Sequence, residues 1–180
     1  MNGTSSNELQ AAAGQAPSSS ALLKQGTALL KEGKMDEAER ALRAAVELDP
    51  GCAGAWVNLG GIHIARWKFA ECVEANRRAI AAEPTMALAH YNQGIGHLYL
   101  GESKAAVDCL KRAVELDPKN AAAYYHLGPA LEALGRIEEA KVCVAYSAEL
   151  GYVPNTTAPQ ALPIVAAQRR APQGKQQSDQ

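Results

Sequence analysis

The histidines and cysteines are the side chains most able to do chemistry in this sequence. His63 and His97 stand 34 residues apart, His90 precedes His97 by seven, and Cys72 and Cys109 lie nearby in the chain. Imidazole and thiolate together would suit zinc, but zinc sites draw their ligands in short-spaced pairs. Cys52, Cys72, Cys109 and Cys143 form no Cys-x-x-Cys pair, and no histidine pair has a metal-ligand spacing. The histidines read better as core residues standing in for tyrosine, held by a ring nitrogen. No metal and no cofactor is expected.

Other chemistry is equally thin. The charges of KEGKMDEAER, AECVEANRR and GRIEEAK fall where helices begin, and acids there favour the helix dipole. The sequence has no phosphate-binding glycine loop, no nucleophile motif and no confined carboxylate pair, so no enzyme is expected. Lys and Arg number 18 against 19 Asp and Glu, a net charge of -1, which removes the basic surface that nucleic acid or an anionic membrane needs. No apolar run approaches the ~20 residues of a membrane span. MNGTSSNELQAAAGQAPSSS lacks the basic and apolar regions of a secretory signal. Scattered thiols fit a reducing compartment, which points to the cytoplasm.

The histidine spacing is part of a ruler. Glycines recur at Gly26, Gly60, Gly94 and Gly128, and prolines at Pro50, Pro84 and Pro118. Small residues recur at Ala38, Cys72, Ala106 and Ala140, and again at Ala45, Ala79, Ala113 and Ser147. Every step is 34 residues, the period of a helix–turn–helix repeat. Between the marks the apolar spacing is helical: Leu22, Leu29 and Leu30 stripe one helix, and Ala38, Leu42, Ala45 and Val46 the next. Gly33 parts the two helices, and Leu48-Asp49-Pro50 closes the second, because proline excludes its predecessor from the α region. The recurring glycine inside the first helix lets its neighbour approach, offsetting the ~1 kcal/mol that glycine costs there.

These residues resemble the tetratricopeptide repeat. LLKQGTALLKEGKMDEAERALRAAVELDP (22–50), AWVNLGGIHIARWKFAECVEANRRAIAAEP (55–84), AHYNQGIGHLYLGESKAAVDCLKRAVELDP (89–118) and AYYHLGPALEALGRIEEAKVCVAYSAEL (123–150) all follow its pattern. The resemblance implies an all-α, right-handed α-solenoid of four repeats, at about 19–52, 53–86, 87–120 and 121–152. Flexible tails, 1–18 and 153–180, would flank it. It also implies a concave groove, lined by the first helix of each repeat, that takes a peptide or helix of another protein.

Carried across residue by residue, the groove positions are Leu23, Lys24, Thr27 and Leu30; Val57, Asn58, Gly61 and Ile64; Tyr91, Asn92, Ile95 and Leu98; Tyr125, His126, Pro129 and Glu132. Lys24, Asn58, Asn92 and His126 share one position and would form a polar ladder. Asparagine, with two donors and an acceptor, suits a peptide backbone whatever its side chains. This ladder resembles that of the superhelical repeats of O-linked N-acetylglucosamine transferases. The apolar remainder favours hydrophobic side chains or an amphipathic helix. A carboxylate clamp for chaperone C-termini would need Lys and Arg where Leu23, Leu88 or Ala122, and Asn92 or His126 stand, and is rejected. The expected function is a protein-interaction adaptor. The alternatives are a dedicated chaperone of one hydrophobic client, or a structural protein that homo-oligomerises through its terminal repeats.

Three irregularities remain. Trp67 aligns with Gly33, Gly101 and Gly135 at the turn between helices, so either that turn differs or its indole packs over Phe69. Arg66-Trp67-Lys68 would otherwise be a secondary contact patch. Pro129 falls inside a helix, where a kink is expected to free the carbonyl of Tyr125. After Gly151 the pattern lapses, and ALPIVAA (161–167) is the one apolar segment able to cover the last repeat, unless a partner does so.

Overall fold

The computed structural model describes residues 17–154, and these form eight α-helices. They are α1 (Ser19–Lys31), α2 (Met35–Leu48), α3 (Ala53–Ala65), α4 (Phe69–Ala82), α5 (Ala87–Tyr99), α6 (Ser103–Leu116), α7 (Ala121–Glu132) and α8 (Ile137–Glu149). The odd helices begin at 19, 53, 87 and 121 and the even ones at 35, 69, 103 and 137, so both series keep the 34-residue step. The expected tails and the segment 161–167 fall largely or wholly outside the described residues.

Each odd helix packs on the even helix that follows it, and each even helix on the next odd one. Successive odd helices also touch, α1 with α3, α3 with α5 and α5 with α7, and so form the inner row of a helical solenoid. The recurring glycine sets the spacing within each pair. A Cβ at Gly26 would stand 2.6 Å from Leu42 Cγ, one at Gly94 2.6 Å from Leu110 Cγ, and one at Gly128 2.5 Å from Val144 Cγ2. The even helices end where proline demands it: Asp49, Glu83 and Asp117 adopt φ of -141°, -140° and -132°. Proline inside α7 does not divide that helix. It runs from Ala121 to Glu132, and Ala133 donates to the Pro129 carbonyl at 3.1 Å.

Repeat two departs from the others at the glycine contact. Asn76 takes the place of Leu42 and Leu110, faces Gly60, and is fully buried. Its Nδ2 donates to the Cys72 carbonyl at 2.8 Å, while its Oδ1 is buried without a hydrogen-bond partner. Cys72 in turn donates to the Asn92 carbonyl at 3.3 Å, tying α4 to α5. An unsatisfied buried oxygen costs about 1–3 kcal/mol. Asn76→Leu should therefore raise the unfolding free energy by about 1–2 kcal/mol in urea titrations, by removing that oxygen from an otherwise apolar contact. A variant no more stable than the parent would contradict this.

Repeats one and two are also joined by charge. Arg66, at the end of α3, pairs with both Asp36 and Glu39 of α2, and Glu39 also pairs with Arg43 at 2.6 Å. Glu39 is only 8% exposed. Burial opposes its charge, but the Arg66 hydrogen bond and the charges of Arg43, Arg66 and His63 outweigh it and hold the carboxyl below its usual range. A depressed carboxylate contributes stability in full above the ordinary carboxylate range, and that contribution is lost as pH falls through the depressed value. Glu39→Gln should cost about 1–3 kcal/mol at pH 7, the scale of a charged hydrogen bond. It should also make stability fall less steeply as pH drops below the ordinary carboxylate range, about 4.5. Parallel stability–pH curves for variant and parent would refute the coupling.

Candidate functional site

The expected groove positions lie on the inner row, and the structure distributes them unequally. Val57, Asn92, Ile95 and Leu98 are buried, at 4, 6, 4 and 5% exposure. Val57 packs with Ala79 and Ala89, and Leu98 with Ala123 and Leu127. Lys24 is exposed, and Leu23, Asn58, Ile64, Tyr91, Tyr125 and His126 are partly exposed.

Leu23, Lys24 and Thr27 of α1 converge with Val57 and Asn58 of α3 on a cavity of about 650 Å³, to which Leu88 of α5 also contributes. Asn58 Nδ2 donates to Thr27 Oγ1 at 3.2 Å, and Thr27 Oγ1 donates to the Leu23 carbonyl at 2.8 Å. This relay fixes the amide at the cavity wall. Walls this largely apolar, with one oriented amide and the side chains of Lys24 and Lys31 beside it, can hold a largely hydrophobic chain.

The other half of the inner row is aromatic. Tyr91 and Tyr125 flank His126 at 6.0 and 5.2 Å between ring centroids. Burial pulls the His126 imidazole down to about 4, so it is neutral at physiological pH. Burial also raises the Tyr91 phenol, with the neighbouring phenols of Tyr152 and Tyr99 adding to the effect. Tyr152 lies against Tyr125 at 4.9 Å and was not among the residues assigned to the groove. Gly151 (φ 82°) places it there. The Gly151 N–H bonds the Ala148 carbonyl at 2.9 Å and the Tyr152 N–H the Ser147 carbonyl at 3.0 Å, turning the chain back after α8. The replacement of Asp-Pro by Gly-Tyr was the only sequence signal for this.

The histidines and cysteines find separate partners. His90 occupies the place of Trp56, one repeat on: Trp56 Nε1 donates to the Pro50 carbonyl at 2.9 Å, and His90 Nε2 meets the Pro84 carbonyl at the same distance. His97 Nδ1 lies 2.5 Å from Glu102. His63 differs, since its Nδ1 is buried without a partner, and burial lowers its pKa. Burial pushes the Cys72 thiol up to about 12, against a smaller lowering by Asn76, and the Cys109 thiol up to about 11, with Asp108 adding to the rise. All four cysteines are free thiols. Among the described residues, no three His, Cys, Asp or Glu side chains come together in a metal-binding group. No described helix is long and apolar enough to cross a membrane.

Trp67 keeps the glycine turn. Its φ is 60°, alongside 75°, 79° and 75° at Gly33, Gly101 and Gly135. Trp67 N–H bonds the Ile64 carbonyl at 3.0 Å, and Lys68 N–H bonds the His63 carbonyl at 2.8 Å, the same pairing that closes α1 and α5. The indole meets Phe69 edge-on at 5.8 Å and Tyr99 at 6.1 Å, while Phe69 and Tyr99 stack at 4.5 Å. Packing thus compensates a strained turn.

A stacked array of helix pairs with an inner groove defines a repeat protein, and comparison with known proteins agrees. Family models described as "Tetratricopeptide repeat" and "TPR repeat" match residues 23–87 and 96–135. The chain belongs to the tetratricopeptide-repeat family. It is similar to a crystal structure of MamA at 26% identity and a TM-score of 0.68, covering 81% of this chain and 83% of that one. MamA residues 41 to the end from Desulfovibrio magneticus RS-1 align at 21% identity and a TM-score of 0.65, over 74% of this chain and 75% of that one. YrrB, described as a TPR protein with an unusual peptide-binding site, aligns at 24% identity and a TM-score of 0.66, over 72% and 67%. The last two likenesses show the fold alone. No curated protein sequence matches the chain.

Substitution at position 67 separates strain from packing. Trp67→Ala keeps the left-handed strain and loses the rings, whereas Trp67→Gly loses the rings and relieves the strain. The alanine variant should be about 1 kcal/mol less stable than the glycine variant in chemical denaturation. Equal stabilities would mean that the turn imposes no left-handed cost.

Proposed function

We propose that this protein is a non-catalytic interaction adaptor that binds an extended, largely apolar peptide segment of a partner protein along the inner row of helices. The observation that carries this reading is the cavity between α1 and α3. There, five groove positions from two repeats meet around an amide held by Thr27. The ligand backbone would bond Asn58, and His126 would serve as a neutral partner farther along. The apolar contacts would come from Leu23, Ile64, Tyr91 and Tyr125, with Asn92, Val57, Ile95 and Leu98 backing the groove from beneath. Trp67, half exposed at the turn between α3 and α4, would be a secondary contact away from the groove ladder. YrrB, in the same fold, is described as having a peptide-binding site. The four free thiols support placing the adaptor in the cytoplasm.

The test is to select peptides against the full chain by display and to measure the best binder by fluorescence anisotropy. Asn58→Ala combined with Tyr125→Ala should weaken that binding at least tenfold. Both side chains are partly exposed, so the melting temperature should move by only a few degrees. Unchanged affinity in the double variant would overturn the reading.

A further inference from the structure

The last repeat sends the chain back towards the groove rather than away from it. Tyr152 rests on Tyr125, and its phenol acts on those of Tyr91 and Tyr99 across on α5. The chain therefore leaves the described structure on the inner side of α7, at the end of an aromatic row that leads towards the α1–α3 cavity. The sequence then continues as NTTAPQ and ALPIVAA. The seven residues from Pro154 to Ala161 can extend about 23–25 Å. Neighbouring helices pack about 8–10 Å apart, so two steps along the inner row, from α7 to α3, need about 20 Å. The reach suffices.

We infer that residues 161–167 of this same chain occupy the apolar cavity between α1 and α3, as a ligand held in cis that a partner peptide must displace. The match is chemical as well as geometric. The cavity is walled mostly by apolar side chains, Leu23, Val57, Met86 and Leu88, with one amide at Asn58 and with Lys24 and Lys31 also lining it. The segment carries no cationic side chain to repel those lysines, and Leu162, Ile164 and Val165 are its large side chains. The competing site is the outer face of α8, where Val142 is 68% and Ile137 45% exposed. The turn at Gly151 favours the groove, because it lays Tyr152 on α7's inner face.

This inference rests on the groove being a peptide site, and its test keeps the two apart. The probe is a fluorescein-labelled synthetic peptide, PQALPIVAA, titrated into the full-length chain and into the full-length Ile164→Asp, Val165→Asp variant. If the segment fills the groove in cis, the variant should bind the peptide at least tenfold more tightly than the parent. Adding Leu88→Asp to the variant should then abolish binding, while adding Val142→Asp should not. Equal binding to parent and variant would overturn cis occupancy while leaving the groove a peptide site. Binding to neither would exclude this segment as the ligand, and the display-selected peptides would still judge the groove. Loss through Val142→Asp but not Leu88→Asp would place the segment on α8 and overturn the inference.

Discussion

The architecture depends on one close contact made four times, where a glycine of the first helix meets a large side chain of the second. At Gly26 and Gly94 a single added carbon would sit 2.6 Å from a leucine, well inside van der Waals contact. The contact fixes how closely the two helices of a pair approach. That approach fixes how the next pair can stack, and stacking sets the curvature of the inner row. In repeat two the constraint accepts a polar residue, Asn76, with an oxygen left unpaired. That a core position tolerates such a cost shows how strongly shape, rather than polarity, governs this contact. The chain compensates nearby, with the Cys72 thiol bridging to α5 and the Arg66 network bridging back to α2.

Most of the fold could be read from the sequence because its determinants are local and periodic. Gly33, Gly101 and Gly135 close the first helices, Pro50, Pro84 and Pro118 end the second, and each signal acts within a few residues of itself. Trp67 shows where that reading stops. Its turn could be located to the residue, yet only the structure shows that the left-handed geometry survives, because the compensating ring, Tyr99, comes from the next repeat. His90 is similar. Its equivalence to Trp56 was implicit in the period, but the shared bond to a proline carbonyl depends on the shape of the loop.

The groove was legible as a set of positions but not as a surface. Which of those side chains remain available depends on how far each odd helix sinks between its neighbours, and one repeat cannot reveal that about another. Asn58 and Asn92 share a repeat position, yet Asn58 stands at a cavity wall with Thr27 while Asn92 is 6% exposed. The sequence pattern treats them as rungs of one ladder, and the packing separates them.

This asymmetry also explains why the two halves of the inner row differ in chemistry. Between α1 and α3 no aromatic ring lines the space, and Gly54 and Thr27 leave room beside Leu23, Lys24, Val57 and Asn58, so a cavity opens. Between α5 and α7 the same positions carry Tyr91, Tyr125 and His126, whose rings fill the space they line. Tyr152 then packs on Tyr125, supplied by a left-handed turn at Gly151, where the earlier repeats carry Asp49, Glu83 and Asp117. Had the fourth repeat ended in an acidic residue and proline like the others, its exit would have been extended, as it is after α2, α4 and α6. Gly151 and Tyr152, standing where the earlier repeats have an acidic residue and proline, are thus what bring the end of the array back onto α7.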